Sequence, residues 1–222
     1  MKRKAGDAEE RLLGSAPREK AGHAGASAQA VGVGAEPAES SQAEGPLRAY
    51  LRVLALKRLY RQGWLKRGLS EAACESVADH SFGTAILALF LAGRPPYETA
   101  NRDKAVMMAL AHELCEVYAG DLTPDDGLGP AEKRKLERDS LLGVLEGLPD
   151  GGRLLGLWEE FEEGTSPEAR LVKQLDRLEM GIQAAVYRAE GAPGMEEFLE
   201  SARFALKDGL LAEILSLAEG KT

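Results

Sequence analysis

AVMMALAHELCEVYAGD, residues Ala105 to Asp121, sets an apolar helical run against three ionisable groups, and the reading of the whole chain turns on it. Val106, Met107, Leu110, Leu114, Cys115 and Val117 leave almost no face for water, which puts His112, Glu113 and Glu116 in or beside a core. A buried, unpaired carboxylate is costly, and a protein avoids it by protonation, by pairing or by a metal ion. Helical spacing sets His112 and Glu116 on one face, with Glu113 about 100° round and able to reach an ion lying between the two directions. Gly120 reads as the residue just past the helix end, which leaves Asp121 in the turn at the rim of the same cleft. Taken alone, the stretch also accommodates a hydrogen-bonded core histidine with two glutamates reaching to the surface.

The flanking sequence is helical in pattern throughout. Pro46 opens a helix with Leu47, Tyr50, Leu51, Leu54 and Leu56 at helical spacing, running to about Tyr60. Ser76, with Asp79 three residues on, resembles a capping arrangement for an apolar helix to Leu91, so His80 falls in the first turn of a buried helix. The helix containing the opening stretch begins at Asn101 or Asp103. Ala131 to Leu145 is expected to face Leu136, Leu141, Leu142 and Leu145 inward, and Leu154 to Phe161 to form a short helix carrying Trp158. Ser166 and Pro167 are an N-cap and first-turn pair for a long helix to about Arg188, striped by Leu171, Leu175, Leu178, Ile182 and Val186 with Asp176 at the stripe's margin. A last helical region, Met195 to Ala218, carries Phe198, Leu199, Ala202, Leu206, Leu210, Leu211 and Ile214. No stretch alternates with the period of a strand.

The expected fold is therefore all-α: a single helical bundle over residues 46–222 behind a disordered tail, residues 1–45. That tail is rich in Ala, Gly, Glu, Ser and Pro, with too few large apolar residues to offset its ordering entropy. It holds His23, one of three histidines, with no candidate ligand near it in sequence.

A net charge of −8 argues against a nucleic-acid polymer or an anionic membrane surface as partner, because both need a basic patch. An anionic substrate would need local cations. Arg61, Trp64 and Arg67 stand out within the basic run Arg48–Arg67, since they surround a glycine-containing turn where backbone and side chains can converge on a ligand. Cys74 and Cys115 form no CxxC and read as reduced thiols of a cytoplasmic protein. The longest apolar run, Ala85 to Ala92, is far shorter than the roughly 20 residues a membrane helix requires.

His80, His112, Glu113 and Asp176 together offer two imidazoles and two carboxylates, a donor set that suits Mn, Fe, Co, Zn or Mg without choosing among them. ESVADHS (Glu75–Ser81), AHELCEVYAGDLTP (Ala111–Pro124) and VKQLDRLEM (Val172–Met180) resemble the three signature segments of the HD-domain phosphohydrolases, specifically the 5′-deoxynucleotidase subgroup. RQGWLKRG (Arg61–Gly68) resembles that subgroup's N-terminal motif, and the likeness spans about Leu47 to Glu190. It implies an HD-domain helical bundle that binds one divalent metal ion through His80, His112, Glu113 and Asp176. Glu113 stands where the family has its naming aspartate, one methylene longer in reach. Glu116 matches a carboxylate that helps activate the attacking water, and Asp121 an acidic residue close to the nucleotide. Trp64 matches a tryptophan that packs against the sugar and disfavours a 2′-hydroxyl, while Arg61 and Arg67 match basic positions near the phosphate. The implied activity is hydrolysis of deoxynucleoside 5′-monophosphates, in a homodimer. The alternatives are an HD-type hydrolase of another phosphorylated nucleotide and a catalytically degenerate nucleotide sensor, the latter prompted by Glu113.

Overall fold

The computed structural model describes residues 42–222, so the expected tail, His23 included, lies outside the described residues except for its last few positions. Ten α-helices follow in order: α1 Glu44–Val53, α2 Gln62–Lys66, α3 Val77–Leu91, α4 Arg102–Ala111, α5 Glu116–Ala119, α6 Pro130–Leu145, α7 Gly151–Glu163, α8 Pro167–Ala189, α9 Met195–Ala205 and α10 Gly209–Lys221. Among the described residues extended pairing is limited to one antiparallel bridge, Tyr60 to Ser76. The all-α expectation holds.

Helix α8 is the axis of the bundle, packing against α3, α4, α7, α9 and α10. Ser166 caps it by accepting from the Ala169 N–H, with Pro167 in the first turn as its sequence position requires. Leu171, Leu175 and Leu178 are buried along the predicted stripe. At Gly181 the neighbours come so close that an added Cβ would lie 2.8 Å from the Ala202 Cβ, so a side chain there would push α9 away. Helix α3 begins with the expected capping box: Ser76 Oγ accepts from the Asp79 N–H, and the Asp79 carboxylate accepts from the Ser76 N–H.

Four expectations need correction. The first helix does not run to Tyr60; it ends at Val53, and a 3-10 turn, Leu54–Lys57, leads into the extended Tyr60. Its Leu47, Tyr50 and Leu51 face solvent. On α6 the buried stripe is Glu137, Ser140, Leu141, Val144 and Leu145, which leaves Leu136 and Leu142 exposed. The inward face is rotated because it lines a cavity as well as a core, and polar residues are admitted there. The C-terminal region is two helices, because Leu206 turns extended and the Asp208 carboxylate caps a new start by accepting from the Leu210 and Leu211 N–H groups.

The fourth correction concerns the opening stretch itself. The regular helix stops at Ala111, and through residues 112–117 the backbone tightens to i→i−3 bonding: Leu114 N–H to Ala111 O (3.2 Å) and Glu116 N–H to Glu113 O (3.0 Å). His112 explains why. Its Nδ1 donates to the Ala109 carbonyl (2.7 Å), the acceptor that an unbroken helix would have offered to the Glu113 N–H. Ser140 of α6 then holds the loosened turn by donating to the Cys115 carbonyl and accepting from the Tyr118 N–H (3.1 Å). Gly120 closes the stretch at φ +79°, as its place in the sequence predicts.

Candidate metal centre and substrate cavity

The capped start of α3 presents His80, the broken end of α4 presents His112 and Glu113, and the middle of α8 presents Asp176. One ligand atom from each of the four lies within 4.8 Å of all the others. His80 Nε2 is 3.1 Å from Asp176 Oδ1 and 3.7 Å from Glu113 Oε1, and His112 Nε2 is 3.3 Å from the same Glu113 oxygen.

The tautomers decide what these distances mean. His112 Nδ1 donates to the Ala109 carbonyl, so in the neutral ring its buried Nε2, which has no hydrogen-bond partner, carries the lone pair. In that form the Glu113 oxygen facing it is a second acceptor, an opposition that a proton or a metal cation between the two relieves. His80 meets a carboxylate at each nitrogen, Glu179 at Nδ1 and Asp176 at Nε2. A core histidine with a neutral ring would require a donor for the His112 Nε2, and none is present among the described residues. The same demand for positive charge appears in the protonation of the groups. Burial and the Arg61 charge push the His80 pKa down, but its bonds to Asp176 and Glu179 outweigh them and lift it to about 10. Burial works against the charge of Asp176, yet His80 holds its carboxyl down at about 2. Glu113, equally buried, is held well below the ordinary range by His112, Arg61 and His80. The two nitrogens and two carboxylates fit a divalent cation.

Beside this centre lies a cavity of about 730 Å³. Glu116 lines it, buried, with Oε2 unpartnered, and burial next to Glu113 and Asp121 pushes its carboxyl up to about 11. Arg61 is anchored at 2.8 Å on Asp121 and lies 4.0 Å from Glu113. Asp121 is committed on both oxygens, to Arg61 and to the Gln62 N–H that opens α2. Trp64 forms part of the wall. Its ring is buried against Tyr187 and Phe198, and its Nε1 donates to Glu75 (2.9 Å). Arg67 sits at the rim, bonded to Glu197 of α9 and, at 3.1 Å, to Asp125. All nine residues singled out in the sequence thus converge on one centre and its cavity.

Two further residues escaped the sequence reading. Glu179 stands behind His80, one turn beyond Asp176, and Lys173 stands one turn before Asp176 with its Nζ over the Phe161 ring (4.5 Å). Of the six cations lining the cavity, Lys173 has no carboxylate within ion-pair distance among the described residues; Arg61, Arg67, Lys133, Arg134 and Arg177 all do. The i±3 spacing from Asp176 was the available signal for both.

Residues 53–210 match the HD domain family. The 5′-deoxynucleotidase HDDC2 of Danio rerio is 41% identical over 150 residues, 66% of this chain and 72% of that protein. Its Homo sapiens counterpart is 33% identical over 180 residues, covering 79% and 85%. The crystal structure of the PH0347 protein from Pyrococcus horikoshii OT3 superposes with a TM-score of 0.65 at 32% identity, over 79% of this chain and 99% of that one. The match takes in every helix that supplies a donor, from His80 on α3 to Asp176 on α8, and the chain belongs to the HD domain family.

Proposed function

We propose that the protein is a metal-dependent 5′-deoxynucleotidase, hydrolysing deoxynucleoside 5′-monophosphates to deoxynucleoside and inorganic phosphate. The observation that carries this reading is the gathering of two imidazoles and two carboxylates, one ligand atom from each within 4.8 Å of the others, beside a cavity of nucleotide size, in a chain whose relatives are named for that activity. His80, His112, Glu113 and Asp176 would hold one divalent ion, of the Mn, Co, Fe, Zn or Mg class. When bound, such an ion supplies Lewis acidity toward a water and a phosphate oxygen. Glu116, with one buried oxygen free, is placed to hold the attacking water, and would accept its proton once a cation held beside Glu113 favours the ionised carboxylate that burial disfavours. The water oxygen displaces the 5′-oxygen from phosphorus, and that oxygen leaves as the deoxynucleoside hydroxyl by taking up a proton, which balances the one Glu116 takes from the water. Asp121 acts through Arg61, aiming the guanidinium into the cavity. Arg61, Arg67 and the uncompensated Lys173 supply the positive charge that a dianionic phosphate needs in an acidic protein. Trp64 limits the space at the sugar's 2′ position.

The direct test is phosphate release from a panel of deoxynucleoside monophosphates and the matching ribonucleotides. Metal-stripped protein is resupplied separately with Mn, Co, Mg and Zn. Metal-dependent release favouring the deoxy substrates is expected; silence with every metal would overturn the assignment.

A homodimer and a cytoplasmic setting complete the proposal. The outward stripe of α3, with Phe82, Leu89 and Phe90 exposed, is an apolar face that a second copy would cover. The C-terminal helices turn Leu199, Leu206, Leu211 and Leu215 into the monomer core instead. Light scattering is expected to give twice the chain mass, and Phe90→Glu half of that value. Both cysteines are free and buried, as a reducing compartment allows, and no helix among the described residues is long and apolar enough to cross a membrane.

A further inference from the structure

Glu179 sits behind the metal centre and touches none of the groups that would meet a substrate. It lies on α8 one turn from Asp176, and its Oε2 accepts from His80 Nδ1 while Asp176 faces Nε2 of the same ring. The His80 ring is therefore gripped at both nitrogens by one helix. A partner that accepts the Nδ1 proton does two things for a ligand histidine: it selects the tautomer with a lone pair on Nε2, and it fixes the rotation of the ring.

Two neighbours flank the Glu179 carboxylate. On α3, one turn from His80, position 83 is glycine, and a Cβ there would lie 2.6 Å from Glu179 Oε1 and 3.0 Å from its Cγ. The bare glycine surface is the space the carboxylate occupies. On the other side stands Glu75, within 4.8 Å of the Glu179 and His80 ligand atoms. Glu75 is itself held by the Trp64 Nε1–H and, through its own N–H, by the Tyr187 hydroxyl.

We propose that Glu179 is the positioning residue for the metal ligand His80, and that Gly83 is glycine to admit its carboxylate. This rests on the metal-centre reading above.

The test titrates Mn²⁺ into metal-stripped protein by calorimetry for the wild type, Glu179→Ala, Glu179→Gln and Gly83→Ala. In parallel, ¹⁵N-histidine spectra of the Zn²⁺-loaded wild type identify the ring tautomer, which three histidines make tractable. His80 is expected with its proton on Nδ1. Glu179→Ala should lose about 10- to 100-fold in Mn²⁺ affinity, and Glu179→Gln, which keeps an acceptor, should recover much of that loss. Gly83→Ala removes nothing from the site and substitutes a better helix former, so it should fold well and still bind Mn²⁺ more weakly by displacing Glu179. A His80 Nδ1 without its proton in the loaded wild type would overturn the proposal, as would wild-type affinity in both Glu179→Ala and Gly83→Ala; either result leaves the nucleotidase reading standing. A wild type that takes up no Mn²⁺ would overturn both.

Discussion

At the scale of single residues, the division of labour between His112 and Glu116 makes the sharpest prediction. They are neighbours on one broken turn, yet one turns a ring nitrogen to the cluster and the other a free carboxylate oxygen to the cavity. His112→Ala should therefore abolish both metal binding and turnover. Glu116→Gln should bind Mn²⁺ as the wild type does and lose about 10²- to 10⁴-fold in kcat, the usual weight of a general base. Calorimetry and steady-state kinetics on the same preparations separate the two, and weakened Mn²⁺ binding by Glu116→Gln would make that residue a ligand instead. Residue identity was legible in the sequence wherever an ionisable group interrupted an apolar run, as at His80, His112 and Glu113. Glu179 and Lys173 were not, because each sits among other charges on a partly exposed helix face. Only the placement of α3 and α7 gives Glu179 a histidine and Lys173 an aromatic ring.

At the scale of elements, caps were readable and interruptions were not. Ser76, Ser166 and Gly120 acted as their local chemistry requires, since a cap is decided by groups within four residues. The breaks after Ala111 and after Ala205 depend on side-chain bonds that a periodicity count does not see. The second break yields a stability prediction. Asp208 accepts from Leu210 N–H, Leu211 N–H and, at 2.6 Å, the Tyr97 hydroxyl, and these bonds hold its carboxyl below the ordinary value of 3.8. A carboxyl depressed in the folded state stabilises above its unfolded pKa, and the contribution is lost as pH falls through the folded value. Asp208→Ala should thus cost about 0.5–2 kcal/mol at pH 7, with the gap from wild type narrowing below about pH 4. Urea denaturation at pH 7 and pH 3.5 checks this; an equal gap at both would show that the charge contributes nothing.

At the scale of the whole molecule, the four donors come from α3, α4 and α8, helices that also build the main core. Without a cation, the buried Glu113 and Asp176 carboxylates are balanced chiefly by protonated His80 and by Arg61. Such an arrangement holds the helices together, but it sets His112 Nε2 against a Glu113 oxygen with no hydrogen bond between them. A divalent ion bound to the native state relieves that opposition and is lost on unfolding, so binding adds directly to global stability. At an ion concentration of about 100 Kd the gain is about 2.7 kcal/mol, which for a domain of this size raises Tm by about 5–10 °C. Differential scanning calorimetry of stripped protein with and without Mn²⁺ should show that rise in the wild type and none in Asp176→Ala. An unmoved Tm across Mn, Co, Mg and Zn would mean that the His80–Asp176 pair is closed by a proton alone, and that the cluster is a structural ion pair rather than a metal centre.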